Sequence, residues 1–362
     1  MAKASASPHV ALSRATVNEP LTINGTTIRP GQRLTLDIPL PQLYTHTPMT
    51  MPAHVVCGKR DGPRLFVCAA LHGDELNGVE IIRRVLQLRA LQRLRGTLVA
   101  IPMVNVYGVI HHSRYLPDRR DLNRSFPGSE RGSLASRLAE LFMSEIVANC
   151  THGIDLHTGA GHRANLPQVR GNLEDAQTAS LAKLFGVPVL INSRIRDGSL
   201  REAAAECGIP MLVYEAGEAL RFDELSIRPG VQGIVNVMRA LGMLQRSRRK
   251  TPPREPFIAN SSSWVRAPQS GILRTVVGLG ARVSPQDHLG VVADPFGEEE
   301  SEVRAQSGGI VIGRTNLPLV HEGEAVYHIA RFDDTHEVAE QVEAFQSSHE
   351  EALEADTEPG IV

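Results

Sequence analysis

The chain has 362 residues, 42% of them hydrophobic and 22% charged, with a formal net charge of -2 at pH 7. That is ample for a sizeable core and for about two domains. It supplies no overall field to draw the chain to nucleic acid or an anionic membrane, and no apolar run approaches the ~20 residues needed to span a bilayer.

The N-terminal stretch MAKASASPHVALSRATVNEP lacks the continuous apolar segment of a secretory signal, so a cytoplasmic location is expected. Residues 1–50 read as an N-terminal extension with short β-strands. Residues 64–70 (RLFVCAA) form a short apolar run, expected as a buried strand. From 74 to about 91 apolar residues fall at helical spacing (Leu76, Val79, Ile82, Val85, Leu86). Residues 97–104 are a second buried strand, and 105–132, rich in Gly, Pro and Arg, a long loop. Ser133 is placed to cap a helix through Leu134, Leu138, Leu141, Phe142 and Ile146. Further strands are expected at 153–157, 188–191 and 211–214, and Pro229 suits the first turn of a helix through Leu241. Strands alternating with helices predict an α/β fold with a mixed, mostly parallel sheet flanked by helices over 51–245.

Residues 246–256 (RSRRKTPPREP) are basic and proline-rich, and read as a linker. Over 257–332 short strands alternate with glycines and predict a small all-β barrel or sandwich domain. From 333 to 362 the chain is acidic, with too few apolar residues for a core, and a frayed helix or disordered tail is expected. Cys57, Cys68, Cys150 and Cys207 are scattered with no C-x-x-C pair. This argues against a disulfide framework and a thiolate zinc site, and favours reduced, mostly buried thiols.

Chemistry gathers at the ends of the predicted strands. His72 and Glu75 (HGDE) lie at a strand-to-helix turn, where open α/β sheets bind ligands, and both are normal zinc donors. A helix cap and a surface charge would give the same pair. Asp155 and His157 alternate onto one face of the next strand; alone, His157 reads equally as a satisfied core histidine. Glu215 ends a further apolar strand, where a carboxylate could take a proton from water or simply face solvent. The loop SRYLPDRRDLNRSFPG clusters Arg114, Arg119, Arg120 and Arg124. It is either a solvated basic loop or a carboxylate clamp, since guanidinium forks match carboxylates.

In that order, HGDEL, DLNR, DLHTG and YEAGE resemble the succinylglutamate desuccinylase/aspartoacylase family, within the broader zinc carboxypeptidase-like fold. The resemblance covers about residues 50–245, and the β-domain resembles the one that follows the catalytic unit in this family. It implies one Zn2+ per chain held by His72, Glu75 and His157, with Glu215 as the catalytic carboxylate. It assigns Asn123 and Arg124 to the substrate carboxylate or the scissile carbonyl. Arg114 resembles a further arginine of that loop, displaced by two extra residues; by the same resemblance Arg114 or Arg124, with the metal, stabilises the developing oxyanion, and the other holds the substrate carboxylate with Asn123. Asp121 resembles the carboxylate that orients a zinc-bound histidine, and Asp155 is given the same part. The implied reaction is hydrolysis of an amide in an N-acyl amino acid or related small carboxylate by water, with Glu215 as base and then acid. Rival readings are a zinc carboxypeptidase acting on peptide C-termini and a metal-binding module without turnover. The β-domain either shapes the pocket entrance or mediates self-association into a homo-oligomer.

Overall fold

The computed structural model describes residues 17–193, 196–246 and 254–357. The first sixteen residues, and most of the expected linker, lie outside the described residues.

One long mixed sheet organises the chain. Its spatial order is Ser261–Arg266, Ala325–Arg331, Gly309–Thr315, Arg163–Gly171, Met211–Glu218, His152–Gly159, Arg60–Ala69, Arg95–Ile101, Met49–Cys57 and Arg33–Leu40. The four strands Met211–Glu218, His152–Gly159, Arg60–Ala69 and Arg95–Ile101 are mutually parallel, so their C-terminal ends meet at one edge. Their neighbours on either side run antiparallel. Alternation along the central strands feeds two cores. Phe66, Cys68, Val99 and Ile101 pack against the helix Leu134–Glu145 on one face. Leu65, Val67, Ala69, Leu98 and Ala100 pack on the other against the helices Asn77–Leu86, Ala176–Phe185 and Glu224–Ala240. A strand covered on both faces must be apolar throughout, which is why these segments read as continuous hydrophobic runs. Ser133 caps its helix by accepting from the Ser136 N–H.

Four expectations change. The helix predicted from residue 74 begins at Asn77, because residues 72–76 are spent on a tight turn closed by the Glu75 N–H to the His72 carbonyl (3.1 Å). Pro229 is not in the first turn: Asp223 caps the helix by accepting from the Leu225 N–H (3.1 Å), and Pro229 lies inside Glu224–Ala240. The missing proline N–H costs one helical hydrogen bond there. The strand Arg163–Gly171 escapes sequence patterning altogether, since RANLPQVRG is polar and holds a central proline. It nonetheless joins the two halves of the sheet, pairing with Met211–Glu218 on one side and with Gly309–Thr315 and Val189–Asn192 on the other.

The fourth change is in the acidic C-terminal segment, which takes the helical of its two expected forms but is docked rather than frayed. It forms a helix, Thr335–Thr357, whose Val338 and Val342 are fully buried against Leu166, Ile310 and Ile312. A docked helix needs only one apolar stripe, so a composition too poor for a core of its own still covers one. The C-terminal β-region places Ser261–Arg266, Gly309–Thr315 and Ala325–Arg331 in the long sheet. A four-stranded antiparallel sheet (Glu300–Arg304, His288–Ala293, Gly271–Thr275 and Leu319–Val320) packs over them around Leu289, Val292, Val311 and Tyr327. Among the described residues no helix is long and apolar enough to cross a membrane. All four cysteines are free, with Cys207 exposed and the others buried.

Candidate active site

The site forms where the parallel strands end. After Ala69 the backbone turns sharply at Ala70 (φ 52°) and is pinned by the Val104 and Asn105 N–H groups on the Ala69 and Ala70 carbonyls (3.1 and 2.9 Å). Two glycines permit the close packing that follows. A Cβ on Gly73 would lie 2.0 Å from the Gly108 carbonyl carbon, and one on Gly78 2.6 Å from the Ala69 Cβ. Any larger residue would push the HGDE turn or its helix off the sheet.

His72, Glu75 and His157 converge, each offering one ligand atom, with all three atoms within 4.8 Å of one another and all three residues buried. His72 Nδ1 lies 2.7 Å from Glu75 Oε1, and His157 Nδ1 lies 2.8 Å from Glu75 Oε2. The far nitrogens face other carboxylates: His72 Nε2 lies 3.1 Å from Asp121 Oδ1, and His157 Nε2 lies 2.6 Å from Asp155 Oδ2. This donor set fits a divalent cation such as zinc. Two imidazoles and one carboxylate point inward, and each imidazole is fixed from behind by an acid, the partner that metal-binding histidines ordinarily use. The same charges perturb one another. Burial favours neutral forms, yet Glu75 is held well below the usual carboxylate range by His72 and His157. His157 is raised well above an ordinary histidine by Asp155 and Glu75, against the same burial.

The cavity here has a volume of about 250 Å³ and also takes in Glu215, Arg114, Asn123 and Arg124. Glu215 Oε2 accepts from Asn165 Nδ2 (2.8 Å), and its Oε1 lies 3.3 Å from Arg170 Nε. Arg114 is committed: its Nη2 donates to Asp121 Oδ2 (2.9 Å) and its Nη1 to Glu75 Oε1 (3.3 Å). Burial lowers its proton affinity, but the charges of Glu75 and Asp121 more than restore it. Asn123 Oδ1 accepts from the Leu200 N–H (3.0 Å), which leaves its amide nitrogen as the group for a ligand. His111 and His112, which precede the arginine loop, are exposed.

Sequence reasoning missed the rest of the lining. Asn165 and Arg170 sit on the unrecognised strand Arg163–Gly171, Arg196 and Arg201 follow the strand Val189–Asn192, and Trp264 comes from the C-terminal β-region. Trp264 stacks on His328 (ring centroids 4.3 Å apart, planes 8° apart), and the Arg163 guanidinium lies 5.6 Å from its ring centroid. Burial, reinforced by Arg170 and Arg196, pushes His328 down to about 3, so this support is a neutral imidazole at physiological pH. No local pattern marks these residues, because the fold alone brings them to the site.

Residues 61–241 match the catalytic domain of the succinylglutamate desuccinylase/aspartoacylase family. A curated relative, the N-alpha-acetyl-L-2,4-diaminobutyric acid deacetylase of Halomonas elongata, is 27% identical over 289 residues, 76% of this chain and 84% of the relative. Among solved structures, the succinylglutamate desuccinylase/aspartoacylase of Rhodobacter sphaeroides superposes with a TM-score of 0.75 at 24% identity, covering 84% of this chain and 97% of that one. The product-bound ectoine utilization protein EutE of Ruegeria pomeroyi superposes with a TM-score of 0.76 at 23% identity, covering 86% and 98%.

Proposed function

Because the chain belongs to the succinylglutamate desuccinylase/aspartoacylase family, we propose that it is a zinc-dependent amidohydrolase that deacylates a small N-acyl amino acid. The observation that carries this reading is the meeting of His72, Glu75 and His157 with Glu215 in one cavity. A deacetylase among its relatives supports the reaction class.

His72, Glu75 and His157 would hold the ion. Zinc bound there would supply Lewis acidity to the amide carbonyl and make hydroxide available near neutral pH. The remaining steps belong to this chain. Asp121 and Asp155 keep the Nε2 atoms of His72 and His157 occupied, so that both Nδ1 atoms face inward. Arg114 braces Asp121 and Glu75, which makes it a positioning residue. Glu215 takes the proton of the attacking water on a carboxylate oxygen and returns it to the leaving amine nitrogen. Asn165 and Arg170 hold Glu215 in place for both transfers. Asn123 and Arg124, both on the cavity wall, anchor the substrate carboxylate.

The test is metal content of the purified chain together with hydrolysis of N-acyl amino acids and short peptides, with and without chelator. About one zinc per chain and chelator-sensitive release from an N-acyl amino acid are expected. Trimming of peptides alone would replace this reading with a carboxypeptidase. A chain that neither binds zinc nor gains activity on adding it would overturn the catalytic assignment.

A further inference from the structure

Glu218, the last residue of the YEAGE motif, has no part in the steps above, yet it is buried. Between Glu215 and Glu218 the strand Met211–Glu218 carries a bulge, spending three residues against two of His152–Gly159. Gly217 stands inside it at φ 73°, where a Cβ would lie 2.5 Å from Asn77 Nδ2. Bulges re-aim side chains beside active sites. This one leaves Glu215 in the cavity and turns Glu218 to the C-terminal β-region, where its Oε2 accepts from Asn316 Nδ2 (2.8 Å). Asn316 is itself held for that bond: its Oδ1 accepts from Arg314 Nη2 (3.1 Å), and its backbone N–H donates to the His162 carbonyl (2.7 Å). The same segment makes a second contact. Gly313 pairs with Asn165, the residue that donates to Glu215 Oε2, and on its other side with His328. A Cβ at Gly313 would lie 3.1 Å from Asn165 Oδ1 and 3.1 Å from His328 Cβ. His328 is fixed by strand pairing on both sides and by its stack on Trp264. The displacement would therefore fall on the Asn165 carboxamide and, through its 2.8 Å bond, on Glu215.

We propose that Gly313 and Asn316 are positioning residues for Glu215, so that the C-terminal β-region sets the geometry of proton transfer as well as contributing Trp264 to the cavity wall. This rests on the amide-hydrolase reading above. Gly313 leaves room for the Asn165 carboxamide to reach Glu215, and Asn316 anchors the chain three residues beyond it through Glu218. His162 and Arg221 also face Glu218, at 3.9 and 3.5 Å, but both are largely exposed and contribute little beside the buried bond. A proton carrier displaced by a few tenths of an ångström loses turnover rather than substrate affinity, because its bond to the moving proton matters in the transition state.

The test measures kcat, KM and metal content of the zinc-loaded full-length protein on its best N-acyl amino acid. Asn316→Ala and Gly313→Ala are each expected to lower kcat about tenfold, with KM changed less than about twofold and metal content unchanged. Glu218→Ala should match Asn316→Ala, and the double variant should be no worse than either, because all three remove one bond. Glu218→Gln keeps an acceptor for Asn316 Nδ2 and should restore most of kcat. Gly278→Ala, in the same region with no atom within 4 Å of the added Cβ, is the control expected at wild-type kcat. The proposal is overturned if kcat survives in both Asn316→Ala and Gly313→Ala, or if KM rises in place of the loss in kcat. It is overturned equally if Glu218→Gln is as impaired as Glu218→Ala, which would give the role to the charge. If Gly313→Ala does not fold, Asn316→Ala, at an exposed position, decides. A crystal structure of Gly313→Ala answers without turnover: the bond from Asn165 Nδ2 to Glu215 Oε2 should lengthen beyond about 3.2 Å, and a bond unchanged at 2.8 Å overturns the proposal. If no N-acyl amino acid is hydrolysed while that bond parts, the hydrolase reading falls and the positioning stands. Hydrolysis at wild-type kcat in every variant is the converse.

Discussion

Replacing Glu215 by Gln separates proton transfer from everything else the site does. The substitution keeps size and shape, and Glu215 is not one of the three converging ligands, so metal content should stay at the wild-type level. The amide keeps one acceptor. With its oxygen on Asn165 Nδ2, where the carboxylate now accepts at 2.8 Å, its NH2 group faces Arg170 Nε, now 3.3 Å from Oε1. Two donors then oppose each other in place of an ion pair, a local cost of about 1–2 kcal/mol that should lower Tm by a few degrees at most. The catalytic cost is larger. Losing a positioned general base and acid lowers kcat by about 10²–10⁴-fold, or about 2.7–5.4 kcal/mol of barrier at 1.36 kcal/mol per tenfold. The assay is kcat on the best N-acyl amino acid, with metal measured on the same preparation. A variant holding full metal and more than about a tenth of wild-type kcat would show that Glu215 does not carry the proton. Loss of metal in Glu215→Gln would instead show that the ligand set is wrong.

Other outcomes follow from the same geometry. His157→Ala should abolish stoichiometric zinc binding, and Asp155→Asn should weaken it about 10–100-fold by releasing His157 Nε2, both read by metal titration against a competing chelator; normal affinity in either would refute its part. Ending the chain at Asp333 should remove about 3–6 kcal/mol of stability, since Val338 and Val342 then no longer cover Leu166, Ile310 and Ile312; an unchanged Tm would contradict this. Glu80→Gln should show a pH signature. Hydrogen bonds from Arg83, opposed by burial and reinforced by Arg84, hold Glu80 down to about 2. A depressed acid stabilises the fold above its unfolded value of 4.5, and that contribution is lost as pH falls toward 2. The variant should therefore be about 1 kcal/mol less stable at pH 7 and indistinguishable from wild type near pH 2, by thermal melts across pH.

Much of the site was legible because its chemistry sits in short motifs at strand ends. Apolar runs such as RLFVCAA announce buried parallel strands, and a polar residue immediately after one must lie at the C-terminal edge of the sheet. His72, Glu75, His157 and Glu215 could be named that way, and the Asp155 and His157 alternation needed only the period of a strand. Arg170, Arg196 and Trp264 could not. Arg170 lies on a strand whose polar, proline-containing sequence hides its place in the sheet, and Arg196 lies in a connection with no periodicity. Trp264 reaches the cavity only because Ser261–Arg266 lies in the same sheet as the central strands.

Sequence alone thus named the candidate groups, because identity and local spacing specify which donors and bases a strand end can offer. Tertiary structure alone decided the company they keep. Arg114 is spent on Asp121 and Glu75, Arg196 faces the cavity without an ion pair among the described residues, and an acidic tail seals a core. The physical reason is that burial and charge balance depend on residues distant in the chain, and their energies exist only once the sheet has brought those residues together.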